Sequence, residues 1–450
     1  MFIVPTLSEK RPQRKRVPPC YTVGYTRGMN TDAERLAVLK HRSYELLLAN
    51  RRYAAAHQYT VPSPDTYPYQ WLWDSCFHAI VLAHFNVDDA KKEMRSLISK
   101  QLGNGMIPHM IYWQRTAAID IDWGRPDTSS ITQPPLLSTA VRAIYEKDGD
   151  KEFLKEMYPA MYHFYNYFLT ERDPRGNHLM SIINPDESGE DNSPRFDHAM
   201  RLPPRHTLNE NFAKRVELIA RNKTCNFDAP FCMKQHFWIK DVPFNAIFVQ
   251  GLADLAHIAD TIDMKEDALR YEARRTEVMG AMRDRMFKEG LFWTLEGPEY
   301  EIVPVKTWAV FSPLFARILT DEEASRLVND TLLNESEFWA PWGVRTVSKT
   351  EPSYDPKGFW RGPVWFAVHW FLYRGLVEYG LFEPAEKIRN ISLRLIEERG
   401  FFEQFHPETG EALGARNFTW GTLVVDMFER ATGASARSGA EAAVSSSSSR

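Results

Sequence analysis

The sequence predicts an all-α fold of paired helices, on three observations. Apolar residues recur at helical spacing behind recognisable caps. Strand-like alternation is scarce. The stretches between helix pairs are long and hold many of the Trp, Gly, Pro and acidic residues.

The elements follow in order. Thr31-x-x-Glu34 is a capping box that opens a helix with Leu36, Leu39, Tyr44 and Leu47 on one stripe. Asn86 caps a second helix carrying Ala90, Met94, Leu97 and Ile98. Residues 150–172 place Leu154, Met157, Met161, Tyr165 and Phe168 on one face. Further helices are predicted over 134–146, 244–261, 264–287, 364–379, 383–398 and 420–431, with Thr320-x-x-Glu323 as a second capping box. Residues 291–294 and 300–304 suggest one hairpin around Glu296-Gly297-Pro298. What remains is four long loops, 61–73, 103–133, 181–243 and 340–363. Helix pairs joined in this way occur in bundles, solenoids and α/α barrels. No fixed-period repeat is visible, which counts against a solenoid. Loops gathered at one end of a helical barrel would make a deep pocket, and function tends to sit on such loops.

The chain reads as one domain over 29–432. Residues 1–28 are rich in Pro, Lys and Arg and read as a disordered basic segment, with Arg11 to Arg16 a solvated run. Residues 433–450 are low-complexity and also read as disordered. Apolar residues make up 44% of the 450, enough for a large core. The net charge is −4 with both signs interspersed, so neither nucleic acid nor an anionic membrane is an expected partner. No run of 18 apolar residues is present to span a membrane, and no signal-peptide h-region precedes the first charges. Cys225-x6-Cys232 fits no zinc spacing, and four cysteines do not make a disulfide scaffold. The expected location is therefore cytoplasmic, and the expected partner a small-molecule sugar. A homo-oligomer is left open.

Four segments carry the chemistry. Tyr67-Pro-Tyr-Gln-Trp71-Leu-Trp73-Asp74 offers stacking walls and a hydroxyl acceptor, or simply a helix start capped by Asp74. Residues 184–197 hold five carboxylates, which repel one another; one of them held protonated could serve as a general acid. The alternatives are a solvated loop or a cation site. In Gly358-Phe-Trp-Arg-Gly-Pro-Val-Trp365, Arg361 either fixes a carboxylate or sugar hydroxyl or closes a turn. Glu403 sits among aromatic residues, a setting that raises a carboxylate pKa, whereas Glu408 and Glu411 look solvated. Together these supply the two carboxylates of acid/base glycoside hydrolysis, about 6.5–9.5 Å apart in inverting enzymes. No Gly-x-Ser-x-Gly elbow, P-loop or dinucleotide fingerprint occurs, and no cofactor is expected. His78, His109 and His369 read as core histidines, and no His pair shows zinc spacing, so no metal is expected.

At these residues the chain resembles the bacterial-type members of glycoside hydrolase family 63, above all the mannosylglycerate and glucosylglycerate hydrolases. The resemblance rests on Tyr67-Pro-x-x-Trp-x-Trp-Asp74, Asn104-Gly-Met-Ile-Pro-His109, Ile131-Thr-Gln-Pro-Pro135, Glu187-Ser-Gly-x-Asp-Asn-Ser-Pro-Arg195, Trp360-Arg-Gly-Pro-Val-Trp365 and the segment from Glu403 to Gly414. These occur in family order over about 67–420. The resemblance implies an (α/α)6 barrel and an inverting mechanism, with Asp191 as general acid and Glu403 as general base. It implies a sugar pocket walled by Tyr67, Trp71, Trp73, Asp74, Gln133, Gly189, Trp360, Arg361 and Trp365. Two positions depart from the family. Phe359 stands where Tyr is frequent, and Asn417-Phe418 where a relative carries Gln. Segment 198–240, which in relatives helps recognise the glycerate carboxylate, matches least. It offers Arg201, Arg205, Arg215 and Lys234. Arg205 and Arg345 are the candidates for a substrate carboxylate, because guanidinium can grip it in bidentate geometry. The alternatives are a trehalase-like or other exo-α-glucosidase on the same barrel, a non-catalytic sugar-binding protein, and a helical interaction scaffold.

Overall fold

A computed structural model describes residues 31–114 and 121–430. The expected segments 1–28 and 433–450 lie outside the described residues, as do positions 115–120 of the second loop.

The helices follow in chain order: α1 (Asp32–Asn50), α2 (Leu72–Leu82), α3 (Val87–Ile98), α4 (Leu137–Asp148), α5 (Lys151–Glu171), α6 (Leu208–Thr224), α7 (Ala229–Gln235), α8 (Val242–Thr261), α9 (Lys265–Met286), α10 (Asp321–Arg326), α11 (Phe366–Glu378) and α12 (Phe382–Arg399). A 3-10 segment, Trp308–Leu314, precedes α10, a π turn continues α10, and residues 423–430 are helical. Burial sorts them into two rings. Helices α2, α4, α8 and α11, the Trp308–Leu314 segment and the helix at 423–430 are buried along most of their length. They follow one another around an inner ring, which the Thr419–Thr422 turn leading into the last helix closes by packing on both α11 and α2. Helices α1, α3, α5, α9, α10 and α12 alternate with them and cover the ring, each burying one face. This is the (α/α)6 barrel. Its order excludes the solenoid and the simple bundle.

The expected caps are present. Thr31 with Glu34 and Thr320 with Glu323 form reciprocal capping boxes, and the Asn86 side chain accepts from the Asp89 amide. All five stripe residues of α5 are buried. Helix α8 is long and apolar enough to cross a membrane, but here it is an inner helix of the barrel with most of its surface buried.

Two expectations are corrected. The hairpin forms between Leu295–Glu296 and Glu301–Ile302, while Leu291–Phe292 turns back to pair with Phe287–Lys288. The loop 181–243 contains two helices, α6 and α7. Helix α6 opens with a third capping box, Thr207 with Glu210, and Lys214, Arg215, Glu217, Arg221 and Lys223 interrupt its short apolar stripe.

Most of the buried apolar side chains form one cluster running through both rings. A smaller cluster, including Tyr69, Met110, Trp123, Ile183 and Trp238, lies beneath the long loops and holds them in place. Cys225 and Cys232 belong to it and are disulfide-bonded, with Cα atoms 5.9 Å apart, joining the end of α6 to α7. The cysteines thus form one local staple, a pairing that their number alone does not suggest.

Candidate active site

The loops converge where the inner helices begin. Asp74 is in the first turn of α2, Gln133 shortly precedes α4, Trp360 and Trp365 precede α11, and Trp420 precedes the helix at 423–430. These residues line one cavity together with Tyr67, Trp71, Trp73, Gly189, Asp191 and Glu403. Inner helices therefore present their N-termini, the positive ends of their dipoles, toward the cavity carboxylates.

Glu403 sits on a hairpin, Phe402–Phe405 with Ala412–Arg416. Tyr67 Oη donates to Glu403 Oε1 at 2.6 Å, and the Ala415 amide donates to Oε2 at 2.8 Å. Gly414 has φ +73°, and a Cβ there would strike the Glu403 carboxylate. Burial raises the Glu403 pKa, opposed by the Tyr67 hydrogen bond. The Tyr67 hydroxyl is itself pushed well above its usual range, first by burial and then by the Glu403 charge.

Asp191 follows a tight turn, Pro185–Ser188, capped by Gly189 with φ +73°. A Cβ at Gly189 would collide with the Trp73 ring, so the loop can pass this close only as glycine. Asp191 forms an ion pair with Arg215 Nη1. Burial raises the Asp191 pKa, and the Arg215 charge opposes it. Asp186 takes the other edge of the same guanidinium, Nε at 3.0 Å and Nη2 at 2.5 Å.

The acidic loop is not a cluster of repelling charges, as the sequence suggests. Glu187 receives two hydrogen bonds from Arg172, at 2.7 and 2.6 Å. Glu190 pairs with Arg195, which also holds Asp241. Asp197 pairs with Arg361. Every carboxylate of the loop has an arginine, and only Asp186 and Asp191 of the five line the cavity.

The aromatic wall is built by packing. Trp360 and Trp365 stack with centroids 4.0 Å apart, and Trp420 crosses Trp73 edge-on at 5.1 Å. Trp420 Nε1 donates to Asp74 Oδ1 at 2.6 Å. Burial raises the Asp74 pKa to about 6, against the pull of His78 and this hydrogen bond. Gln133 Oε1 accepts from the Trp73 amide at 3.3 Å. Asp74 thus stands in the first turn of α2 without capping it, since the N-cap is Trp71 and no side chain caps that end; its carboxylate faces the cavity wall instead.

Three predicted binding residues are elsewhere. Arg361 is buried behind the wall, its guanidinium spent on Asp197 and the carbonyls of Asn192 and Pro204. Arg205 is exposed and donates to the Pro352 carbonyl. Arg345 is buried and ties the carbonyls of Glu335, Glu337 and Trp339 to Glu408, which is therefore not a merely solvated acid. Among the described residues the cavity has one basic side chain, Arg215, on the helix hidden in the expected loop. The Thr207-Leu-Asn-Glu210 box is the sequence signal that exposes that helix. Pro62, Asp186 and Trp420 also line the cavity and were not singled out; Phe359 and Phe418 do so at the two departures from the family pattern. His78, His109 and His369 are buried, each bonded to a hydroxyl, at Thr419, Ser129 and Ser392 respectively.

A helical barrel with two carboxylates in an aromatic cavity is the architecture of a glycoside hydrolase. The chain belongs to the mannosylglycerate hydrolase MGH1-like glycoside hydrolase family, whose model matches residues 67–421. It is 32% identical over 430 residues to a mannosylglycerate hydrolase of Thermus thermophilus, covering 86% of this chain and all of that protein. A glucosylglycerate hydrolase of Mycolicibacterium hassiacum is 26% identical over 425 residues, with coverage of 81% and 93%. The crystal structure of a GH63 mannosylglycerate hydrolase from Thermus thermophilus in complex with Tris and D-glycerate superposes with a TM-score of 0.80 at 31% identity, covering 87% of this chain and all of that one.

Proposed function

We propose that this chain is an inverting α-glycosidase that hydrolyses mannosylglycerate or glucosylglycerate to the free sugar and glycerate. The observation that carries this reading is the partner chemistry of the two cavity carboxylates. Glu403 is held by a hydroxyl and an amide, both of which favour its ionised form without neutralising it. That suits the general base that takes a proton from the attacking water. Asp191, set opposite a guanidinium that the cavity shares and favoured in its protonated form by burial, is the remaining carboxylate for the general acid that protonates the glycosidic oxygen. Tyr67, Trp71, Trp73, Asp74, Gln133, Gly189, Trp360 and Trp365 form the sugar wall, with indole faces for C–H surfaces and Asp74 for hydroxyls. Arg361, Arg205 and Arg345 have no direct part.

The test is the rate of sugar release from mannosylglycerate, glucosylglycerate and trehalose by the purified chain. The proposal expects kcat/KM on one of the two glycerate glycosides to exceed that on trehalose. A preference for trehalose would keep the barrel chemistry and refute the substrate assignment.

A further inference from the structure

Arg215 is gripped unequally. Asp186 fixes Nε and Nη2, Nη1 alone reaches Asp191, and all three residues line the cavity. Resting on the reading of Asp191 as the proton donor, we propose that Arg215 couples the leaving group's charge to the proton on Asp191: a substrate carboxylate that accepts from Nη1 displaces Asp191, which then holds the proton it must deliver.

The charge count supports this. Facing Asp191 are Arg215 from α6 and Asp186 from its own loop; Glu403, Tyr67 and Asp74 stand on the other elements that line the cavity. His109, close to Arg215, is held neutral by burial, its pKa pushed down to about 3. Among the described residues that line the cavity, Arg215 is thus the single cation among acids. With Asp186 and Asp191 both ionised, the trio sums to −1. A substrate carboxylate makes it −2 in a site largely shielded from water, where an uncompensated charge is costly. One proton taken from solvent onto Asp191 restores −1. In the step that follows, that proton passes from Asp191 to the glycosidic oxygen as the C1–O bond breaks, and the leaving group departs as an alcohol. Water forms the new C1–O bond and gives its proton to Glu403. A neutral leaving group leaves Arg215 on Asp191, which stays ionised and cannot donate. Selection for an anionic leaving group therefore acts on turnover as well as on binding.

The experiment compares pH–rate profiles on two substrates with the same sugar, one α-linked to glycerate and one to glycerol. The alkaline limb reports loss of the proton on Asp191, in kcat/KM for the free enzyme and in kcat for the complex. For the glycerate glycoside, the limb in kcat is expected at least one pH unit above that in kcat/KM. For the glycerol glycoside the two limbs coincide, and kcat is lower by about 100-fold. Arg215→Met is expected to raise the limb in kcat/KM and to abolish the difference in kcat between the substrates. The wild-type profiles decide the matter even if that variant fails to fold. Coincident limbs on a glycerate glycoside that is cleaved would overturn the coupling and leave the glycosidase reading intact. So would an Arg215→Met variant in which only KM changes, which would make Arg215 a binding group alone. Cleavage of neither substrate would overturn both readings.

Discussion

Glu403 and Asp191 line the same cavity, yet the structure holds them in different ways. Glu403 stands on a short hairpin, locked by Tyr67, the Ala415 amide and the space that only Gly414 leaves. Its partners are neutral and none can leave with a substrate. Asp191 hangs from a turn and is held by a guanidinium shared with Asp186. Neutral donors favour ionised Glu403 yet leave it able to accept a proton, as the proposed base must. Arg215 favours ionised Asp191 and burial opposes it, so the state of the proposed acid depends on where that guanidinium is engaged. The comparison extends to Glu187 and Glu190, which lie only a few residues from the half-buried Asp191 but are fully buried and closed off by arginines of their own.

Four outcomes sharpen or break this contrast. The largest concerns the pair itself. Asp191→Asn and Glu403→Gln should each lower kcat by about 10²–10⁴-fold while the protein stays folded by circular dichroism. Near-native turnover in either variant would remove that residue from the chemistry. Next is the structural acid of the same loop. Arg172→Met strands Glu187 without its counter-ion and should cost about 3–5 kcal/mol in denaturant unfolding, whereas Asp191→Asn should cost far less. Equal costs would erase the distinction between the two acids. Gly414→Ala should lower kcat by about 10²-fold with KM little changed, because the new Cβ displaces the Glu403 carboxylate. The smallest effect is a shift. The Tyr67 hydrogen bond stabilises ionised Glu403 and so lowers its pKa. Tyr67→Phe removes it and raises that pKa. A base is lost as pH falls through its pKa, so the acidic limb of the pH–rate profile should move to higher pH, by about 1–2 units for a hydrogen bond to a charged group. A limb that stays in place would deny Tyr67 its role on the base.

The barrel was legible because its signals are local and periodic. Capping boxes and apolar stripes mark α1, α3, α5 and α10 directly, and those elements formed where expected. The wall residues were legible through motifs, since the Trp71 to Asp74 and Trp360 to Trp365 stretches each bring their side chains to the cavity over a short span. The arginines were not. Arg361, Arg205 and Arg345 look alike in sequence, and only packing shows that each is committed to a structural partner. Arg215 was one of four bases in a stretch read as loop, and its place depends on a helix whose apolar stripe is masked by charge. The number of carboxylates in 184–197 was visible, but the arginines that neutralise them come from sequence positions up to 164 residues away.

If Asp191 and Glu403 act as an acid/base pair, hydrolysis inverts the anomeric centre. Proton NMR of mannosylglycerate or glucosylglycerate during the first turnovers tests it most directly. The α-anomeric signal of the substrate is expected to give way first to the β-anomer of the free sugar, with the α-anomer appearing only as mutarotation proceeds. First appearance of the α-anomer would mean a retaining reaction through a covalent intermediate, and would contradict the assignment of Glu403 as a base that activates water.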